Sequence, residues 1–222
     1  FMYYSEDGEQ GYPGAVKAVV RYEWTDDCEL RMTYTAESDA PTVINLTNHG
    51  YFNLNGEGNG NILGHTLRMN CSEYLPTDES QIPLGESAPV AGTPMDFVNE
   101  KPVGQDIRAD FDAIRIGTGY DHCWLIDGAE PGQLQFCCEL HAPESGRTLN
   151  IYTTQPGVQV YTGNWLSGCP AGKNGHVYEN NDGIAIECQN YPDAPNKPEY
   201  PNCVLRPGEV YEQAIIYVFG TR

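Results

Sequence analysis

Positive charge is scarce in this sequence. Its 222 residues include 12 lysines and arginines against 31 aspartates and glutamates, which gives a formal net charge of −19. This balance disfavours the phosphate backbone of nucleic acids and anionic membrane surfaces, so we predict that neither a nucleic acid nor a membrane is bound. A neutral ligand such as a sugar is compatible with the charge.

Long apolar runs and sustained helical periodicity are also missing. No apolar run approaches the roughly 18–20 residues that a membrane-spanning helix needs. The glycine-rich segment Asn55 to Gly60 lacks the lysine and the spacing of a phosphate-binding loop. The sequence has instead 15 tyrosines, 24 glycines and 16 prolines, a composition typical of short strands joined by turns.

The eight cysteines include no pair with the C-x-x-C spacing, which disfavours a zinc site or a redox motif. Their even number keeps a secreted, disulfide-stabilised interaction module as one hypothesis. However, Cys123, Cys137 and Cys188 lie inside apolar runs that resemble strands. We therefore favour free, largely buried thiols and a reducing compartment, the cytoplasm.

Alternation of apolar and polar residues is the main secondary-structure signal. It predicts a hairpin from Ala15 to Trp24 and from Cys28 to Ala36 around a turn at Thr25 to Asp27. The segment Lys101 to Arg115 is predicted to be irregular, with at most a short helix near Gly104 to Arg108. Further strands are predicted at Phe1–Tyr4, Thr42–Thr47, Tyr51–Leu54, His65–Cys71, Cys123–Asp127, Leu134–His141, Arg147–Thr154, Gln159–Tyr161, Val204–Leu205 and Tyr211–Phe219. These patterns predict an all-β fold, an antiparallel β-sandwich formed by a single domain over residues 1–222.

The stretch Gly183 to Asn196 contains the first candidate catalytic residue. It begins as a strand, and Glu187 interrupts the apolar run. Because side chains alternate along a strand, Ala185, Glu187 and Gln189 share one face. Prolines after Tyr191 end the strand and begin a fixed loop. A carboxylate placed near the end of a rigid strand suits a general base in a cleft, although a surface glutamate on a two-faced strand gives the same pattern.

Three more polar residues stand beside apolar strands. They are His49 after Thr42 to Thr47, Asp121 before the strand at Cys123, and Gln159, which shares a face with Tyr161. An imidazole and a carboxylate on one sheet face make an acid/base pair, but each residue alone also fits a polar group satisfied by a loop. His122 should face away from Asp121. Three histidines in turn-rich or exposed contexts receive no role, namely His65, His141 and His176.

Four segments taken together resemble the aldose 1-epimerases, the galactose mutarotases. They are TNHGYFNL from Thr47, GYDHCW from Gly119, TTQPGVQVYTGNWL from Thr153 and AIECQNYPDAPN from Ala185. SEDGEQGYPG near the start and LRPGEVY near the end add to the resemblance, which runs from Ser5 to Phe219. Motifs in the same order over nearly the whole chain are far more specific than any one of them.

The resemblance implies a large antiparallel β-sandwich of the galactose mutarotase-like supersandwich type, with a sugar-binding groove. Glu187 matches the catalytic base and His49 the catalytic acid, while Asp121 and Gln159 match substrate-binding residues. The implied partner is a free aldose such as galactose or glucose, and no metal or organic cofactor is implied.

The resemblance also implies that the family fold starts before the segment that matches Phe1. The absent part, on the order of a hundred residues, supplies an arginine and a second histidine to the sugar site. The chain is therefore expected to be a fragment with an incomplete site and an open strand edge. Such an edge could receive the missing N-terminal segment in trans, or support self-association.

Three readings compete with the mutarotase reading. The first is a non-catalytic sugar-binding module that uses the same groove. The second is a glycoside hydrolase in which Asp121 and Glu187 form the carboxylate pair, which leaves His49 unexplained. The third is the secreted disulfide module raised by the cysteine count.

Overall fold

The computed structural model describes the whole chain from Phe1 to Arg222. The strands are β1 Met2–Ser5, β2 Val16–Trp24, β3 Glu29–Ser38, β4 Thr42–Val43, β5 Tyr51–Phe52, β6 Thr66–Met69, β7 Glu73–Tyr74, β8 Ala88–Pro89, β9 Lys101–Pro102, β10 Asp121–Leu125, β11 Gln135–Ala142, β12 Arg147–Thr153, β13 Gly157–Tyr161, β14 Ile184–Gln189, β15 Val204–Leu205 and β16 Tyr211–Thr221. The helices are α1 Asp112–Gly117 and short 3₁₀ turns at Glu9–Gly11, Lys173–Gly175 and Ala194–Asn196. None of these helices has the length and apolarity needed to cross a membrane.

The strands form two large antiparallel sheets, which confirms the predicted all-β class. One sheet has the order β1-β2-β3-β16-β12-β11-β6-β9, and the other has the order β5-β14-β13-β10-β7-β8. A small sheet pairs β15 with β4. The predicted hairpin is present, because β2 and β3 pair in register around the turn that follows Trp24.

One continuous apolar core lies between the two large sheets. The eight-stranded sheet contributes Met32, Leu140, Ile151 and Tyr217, and the six-stranded sheet contributes Trp124, Val158, Val160 and Ile186. All of these side chains are fully buried or nearly so. Burial of this kind stabilises the fold by about 25 cal/mol per Å² of apolar surface and makes β10, β13 and β14 a rigid platform.

Two secondary-structure expectations need correction. The short helix that the sequence allowed near Gly104 to Arg108 does not form, and the Gly104 N–H bonds to the distant Leu63 carbonyl. The helix lies later, at Asp112–Gly117, with an acidic residue in its first turn and a basic one in its last turn, as the helix dipole favours. The strand expected over Thr42 to Thr47 ends at Val43, because Asn45 and Thr47 bond through their side chains to the carbonyls of Asn190 and Cys188, at and just after the end of β14.

All eight cysteines are free thiols, as expected from their apolar surroundings. Six are buried, and only Cys28 and Cys169 are exposed. Burial is the largest cause that raises the pKa of the Cys123 thiol to about 12, so this thiol stays protonated and unreactive at neutral pH. The structure therefore offers no support for the disulfide-stabilised module.

Two histidines, His65 and His122, are fully buried. His122 faces away from Asp121 as predicted, whereas His65, which was expected in a turn-rich or exposed context without a role, lies in the core. His65 Nε2 accepts the Leu54 N–H at 2.9 Å, and His122 Nδ1 accepts the Asp121 N–H at 3.1 Å. Burial lowers the pKa of each imidazole from 6.5 to about 4, with the His141 charge adding to the effect on His65.

These two histidines should make the fold sensitive to acid. The unfolded chain binds a proton on each imidazole below about pH 6.5, but the folded chain does so only near pH 4. Their contribution to the free energy of unfolding is therefore fully present above pH 6.5. It is lost as the pH falls towards 4, by about 3 kcal/mol for each histidine. Urea unfolding at pH 7 and pH 4.5 measures the loss. A His122→Asn variant should lose roughly half of this dependence, and equal stability of the unsubstituted chain at the two pH values would contradict the prediction.

Part of the inner face of the larger sheet is not covered. Four aromatic residues lie on the same face as the buried Met32 of β3, yet they are 42–90% exposed: Phe1 just before β1, Tyr3 on β1, and Tyr22 and Trp24 on β2. We call these four residues the open face. β1 is also the last strand of its sheet, so one edge of it has no partner. Tyr22 connects the open face to the segment of His49, because its hydroxyl accepts a hydrogen bond from the Asn48 amide at 3.3 Å.

Candidate active site

Strands β10, β13 and β14 present the predicted site residues on one face of the smaller sheet. Gln159 lies opposite Glu187, and Tyr161 lies opposite both Asp121 and Ala185. Directly opposite residues of antiparallel strands project to the same face, and residues two apart on one strand do so as well. The side chains of Asp121, Gln159 and Glu187 therefore form one polar row across three neighbouring strands.

His49 joins this row from a segment outside the regular strands. Its Nε2 atom lies 3.2 Å from Oε1 of Glu187. The Glu187 side chain is buried, whereas about half of the imidazole is exposed to solvent. The two residues that sequence resemblance pairs as acid and base, 138 positions apart in the chain, are thus in direct contact.

Asp121 and Gln159 form the second contact of the row. Gln159 Nε2 donates a hydrogen bond of 2.8 Å to Oδ1 of Asp121. This bond fixes which end of the amide faces the carboxylate, and it leaves the other Asp121 oxygen and the Gln159 carbonyl without a protein partner. Such groups can accept hydrogen bonds from the hydroxyls of a ligand lying over the sheet.

Two tyrosines enclose the imidazole. The ring centre of His49 lies 5.1 Å from that of Tyr51 and 6.4 Å from that of Tyr161, and the two tyrosine rings lie 6.1 Å apart. Neither tyrosine was predicted to be a site residue. The signal for Tyr161 was present, since it shares a strand face with Gln159, and Tyr51 follows His49 by two residues.

The carboxylates of this site are held towards their protonated forms. Burial raises the pKa of Glu187, the nearby Asp121 charge raises it further, and His49 acts in the opposite direction. Burial likewise raises the pKa of Asp121, against the hydrogen bond from Gln159 and the charge of His49. A glutamate with a raised pKa beside a histidine is a pair in which either group can give or take a proton near neutral pH.

A cavity of about 930 Å³ lies elsewhere, beside Leu125 and Pro156, at the ends of β10 and β13 that are remote from His49. None of the four predicted site residues lines it. The contact between His49 and Glu187 and the raised carboxyl pKa values favour the sheet face beside His49, and not this cavity, as the candidate active site.

A family model for aldose 1-epimerases matches residues 1–218. The chain belongs to the aldose 1-epimerase family. Galactose mutarotase from Homo sapiens is 44% identical over 220 residues, which are 99% of this chain and 62% of that protein. Aldose 1-epimerase from Escherichia coli K12 is 39% identical over 221 residues, which are 99% of this chain and 63% of that protein.

Two solved structures of aldose epimerases also superpose on this chain. An aldose epimerase homologue from C. elegans superposes with a TM-score of 0.88 at 30% identity, over 100% of this chain and 65% of that one. Galactose 1-epimerase from Lactobacillus acidophilus NCFM superposes with a TM-score of 0.84 at 29% identity, over 99% of this chain and 61% of that one. The chain thus spans about 62% of the length of the curated relatives it matches.

Proposed function

We propose that this site interconverts the α and β anomers of a free hexose, as an aldose 1-epimerase. The observation that carries the proposal is the contact of 3.2 Å between His49 Nε2 and Glu187 Oε1. In a cyclic aldose, the C1 hydroxyl oxygen and the ring oxygen are bonded to the same carbon. An acid and a base that act on these two oxygens must therefore converge on nearly the same point, as His49 and Glu187 do.

The proposed reaction needs only proton transfer and rotation. Glu187 removes the proton of the C1 hydroxyl while protonated His49 gives a proton to the ring oxygen. The bond between C1 and the ring oxygen breaks, its electron pair stays on that oxygen, and C1 becomes an aldehyde carbon. Rotation about the C1–C2 bond exposes the other face, and closure returns both protons. Each proton transfer contributes about 10²–10⁴-fold to the rate.

Asp121 and Gln159 are proposed to hold the hexose through its hydroxyl groups. Their mutual hydrogen bond fixes both side chains, so that little side-chain freedom is lost when a sugar binds. Neither residue, nor His49 or Glu187, is paired with a lysine or arginine. A neutral sugar therefore suits the site better than a phosphorylated one, and both galactose and glucose remain candidates.

Polarimetry tests the proposed function. Freshly dissolved α-galactose or α-glucose should approach its final rotation faster when the chain is present, and the final rotation should be unchanged. A folded chain that binds hexose without accelerating the decay would be a sugar-binding module and would contradict the proposal. Release of a reducing sugar from a glycoside would favour the hydrolase reading instead.

We also propose that additional polypeptide covers the open face, either as a segment of the family fold supplied in trans or as a second copy of the chain. The exposed aromatic rings and the unpaired edge of β1 support this idea, because both are surfaces on which another chain can pack or pair. Sedimentation equilibrium over a range of concentrations tests self-association. A single-chain mass at every concentration would contradict the second-copy form.

We also propose that the chain is located in the cytoplasm. Eight free thiols, six of them buried, are compatible with a reducing compartment. Titration of eight thiols in the denatured, unreduced protein purified from its source would support this location, and fewer than eight would contradict it.

A further inference from the structure

The segment between β4 and β5 is joined to β14 by side chains and not by a regular backbone ladder. The Asn45 amide donates to the Asn190 carbonyl at 3.0 Å, and the Asn190 N–H donates to Asn45 Oδ1 at 2.9 Å. The Thr47 hydroxyl donates to the Cys188 carbonyl at 2.7 Å. Cys188 is fully buried, so this hydroxyl supplies a partner that a neighbouring strand would otherwise supply.

One extra residue is accommodated in this segment between Thr47 and Tyr51. Tyr51 lies opposite Ala185 in the β5–β14 ladder, and Thr47 bonds to Cys188. Three residues therefore separate Thr47 from Tyr51, whereas two separate Ala185 from Cys188. The segment thus carries one more residue than the strand opposite it. It forms no backbone ladder with that strand, but the extra residue resembles a β-bulge, which bends the chain and redirects a side chain, and we call this feature the bulge. Here the redirected side chain is the imidazole that contacts Glu187.

A local turn holds the bulge from the other side. Asn48 Oδ1 accepts the Gly50 N–H at 2.9 Å, and the Asn48 amide donates to the Tyr22 hydroxyl. An asparagine that bonds to the backbone two residues later forms an Asx-turn, and His49 is its middle residue. The backbone of His49 is thus fixed on both sides, although half of its ring is open to solvent.

We propose that Thr47 is a positioning residue whose bond to the Cys188 carbonyl sets the bulge and thereby places the His49 imidazole against the Glu187 carboxylate. The turn formed by Asn48 holds the same segment on the other side of His49. Thr47 makes no hydrogen bond to Asp121 or Gln159, so loss of its hydroxyl should disturb proton transfer and not the binding of a sugar. The kinetic part of this inference rests on the proposed function.

The kinetic experiment compares Thr47→Val with Thr47→Ser. Valine keeps the shape of threonine without the hydroxyl, and serine keeps the hydroxyl. A shift of about 1 Å in a reacting group can cost 10²-fold, so kcat of Thr47→Val should fall by about 10- to 100-fold while KM changes little. Thr47→Ser should remain close to the unsubstituted protein. Equal losses in the two variants, or a fall in stability without a change in kcat of the folded protein, would overturn the inference.

A measurement without sugar keeps this inference separate from the proposed function. The titratable groups that face Glu187 are His49, Asp121, Tyr51 and Cys123. Because His49 lowers the Glu187 pKa, a displaced imidazole should raise it, and carbon NMR of labelled glutamate should show this in Thr47→Val but not in Thr47→Ser.

An identical Glu187 titration in the unsubstituted and Thr47→Val proteins would overturn the positioning role, whether or not the chain accelerates mutarotation. If Thr47→Val does not fold, Asn48→Ala provides the second test, since it removes the acceptor of the Gly50 N–H. It should give the same loss of kcat with little change in KM. An unchanged kcat and an unchanged Glu187 titration in that variant would overturn the inference.

Discussion

Replacing Glu187 with glutamine is expected to lower the rate of anomer interconversion by about 10²–10⁴-fold, the contribution of a positioned general base. The amide has nearly the shape of the carboxyl group but cannot remove the C1 hydroxyl proton. Asp121 and Gln159 keep their mutual hydrogen bond, so hexose binding should persist. Polarimetry gives the rate and calorimetry gives the affinity. A variant that retains most of its rate would contradict the role of Glu187 as the base.

The same substitution should stabilise the protein at neutral pH. Burial raises the pKa of Glu187, so the folded chain binds a proton here more tightly than the unfolded chain does. At pH values above the pKa of Glu187 in the folded state, ionisation of its carboxyl group therefore lowers the free energy of unfolding. This loss disappears below about pH 4.5, the ordinary pKa of a glutamate. Each unit by which the pKa is raised corresponds to about 1.4 kcal/mol of unfolding free energy. In a chain of this size, each kcal/mol changes the melting temperature by roughly 2–4 °C.

A matched control is the exposed glutamate on β3. Glu37→Gln removes the same charge from the surface and should leave both the rate and the melting temperature nearly unchanged. Melting curves of the two variants at pH 7 and pH 3.5 separate relief of a buried charge from a change in net charge. A gain for Glu187→Gln that is equally large at pH 3.5 would show that its cause is not ionisation.

Local patterns in the sequence were sufficient where one face of a strand is buried. The alternation from Ala15 to Trp24 predicted β2, and the apolar run at Ile184 to Ile186 predicted β14, because register errors there would expose the core. The alternation also predicted that Glu187 shares a strand face with Ala185 and Gln189, and not with Ile184 and Ile186. The contact between Glu187 and His49 came from resemblance, since no local pattern relates two residues so far apart in the chain.

The remaining features depend on tertiary contacts that a single sequence does not encode locally. Thr42 to Thr47 has good strand composition, but the bulge at His49 replaces most of its ladder with side-chain bonds to β14. His65 stands among turn residues, yet tertiary packing buries it and only the Leu54 N–H partners its ring. The role of Thr47 is invisible in the sequence because it depends on a carbonyl 141 positions away.

Replacing His49 with glutamine is expected to have the second large effect, a loss of about 10²–10⁴-fold in rate. A glutamine side chain can donate a hydrogen bond to the ring oxygen but cannot transfer a proton to it. The variant also removes the group that lowers the Glu187 pKa. Since Glu187 must be ionised to act as the base, the residual activity should need a higher pH than the unsubstituted protein needs.

The pH dependence of the activity distinguishes a residue that donates a proton from one that only lines the site. The rate kcat/KM is measured against pH for the unsubstituted protein, His49→Gln and the control His141→Gln, whose imidazole lies on the other sheet beside Glu100. The control should keep both the rate and the profile. A His49→Gln variant that is slow but has an unshifted acidic limb would mean that the imidazole does not interact with the ionised base. Because Thr47→Val displaces the ring without removing it, its loss and its shift should be smaller and in the same direction.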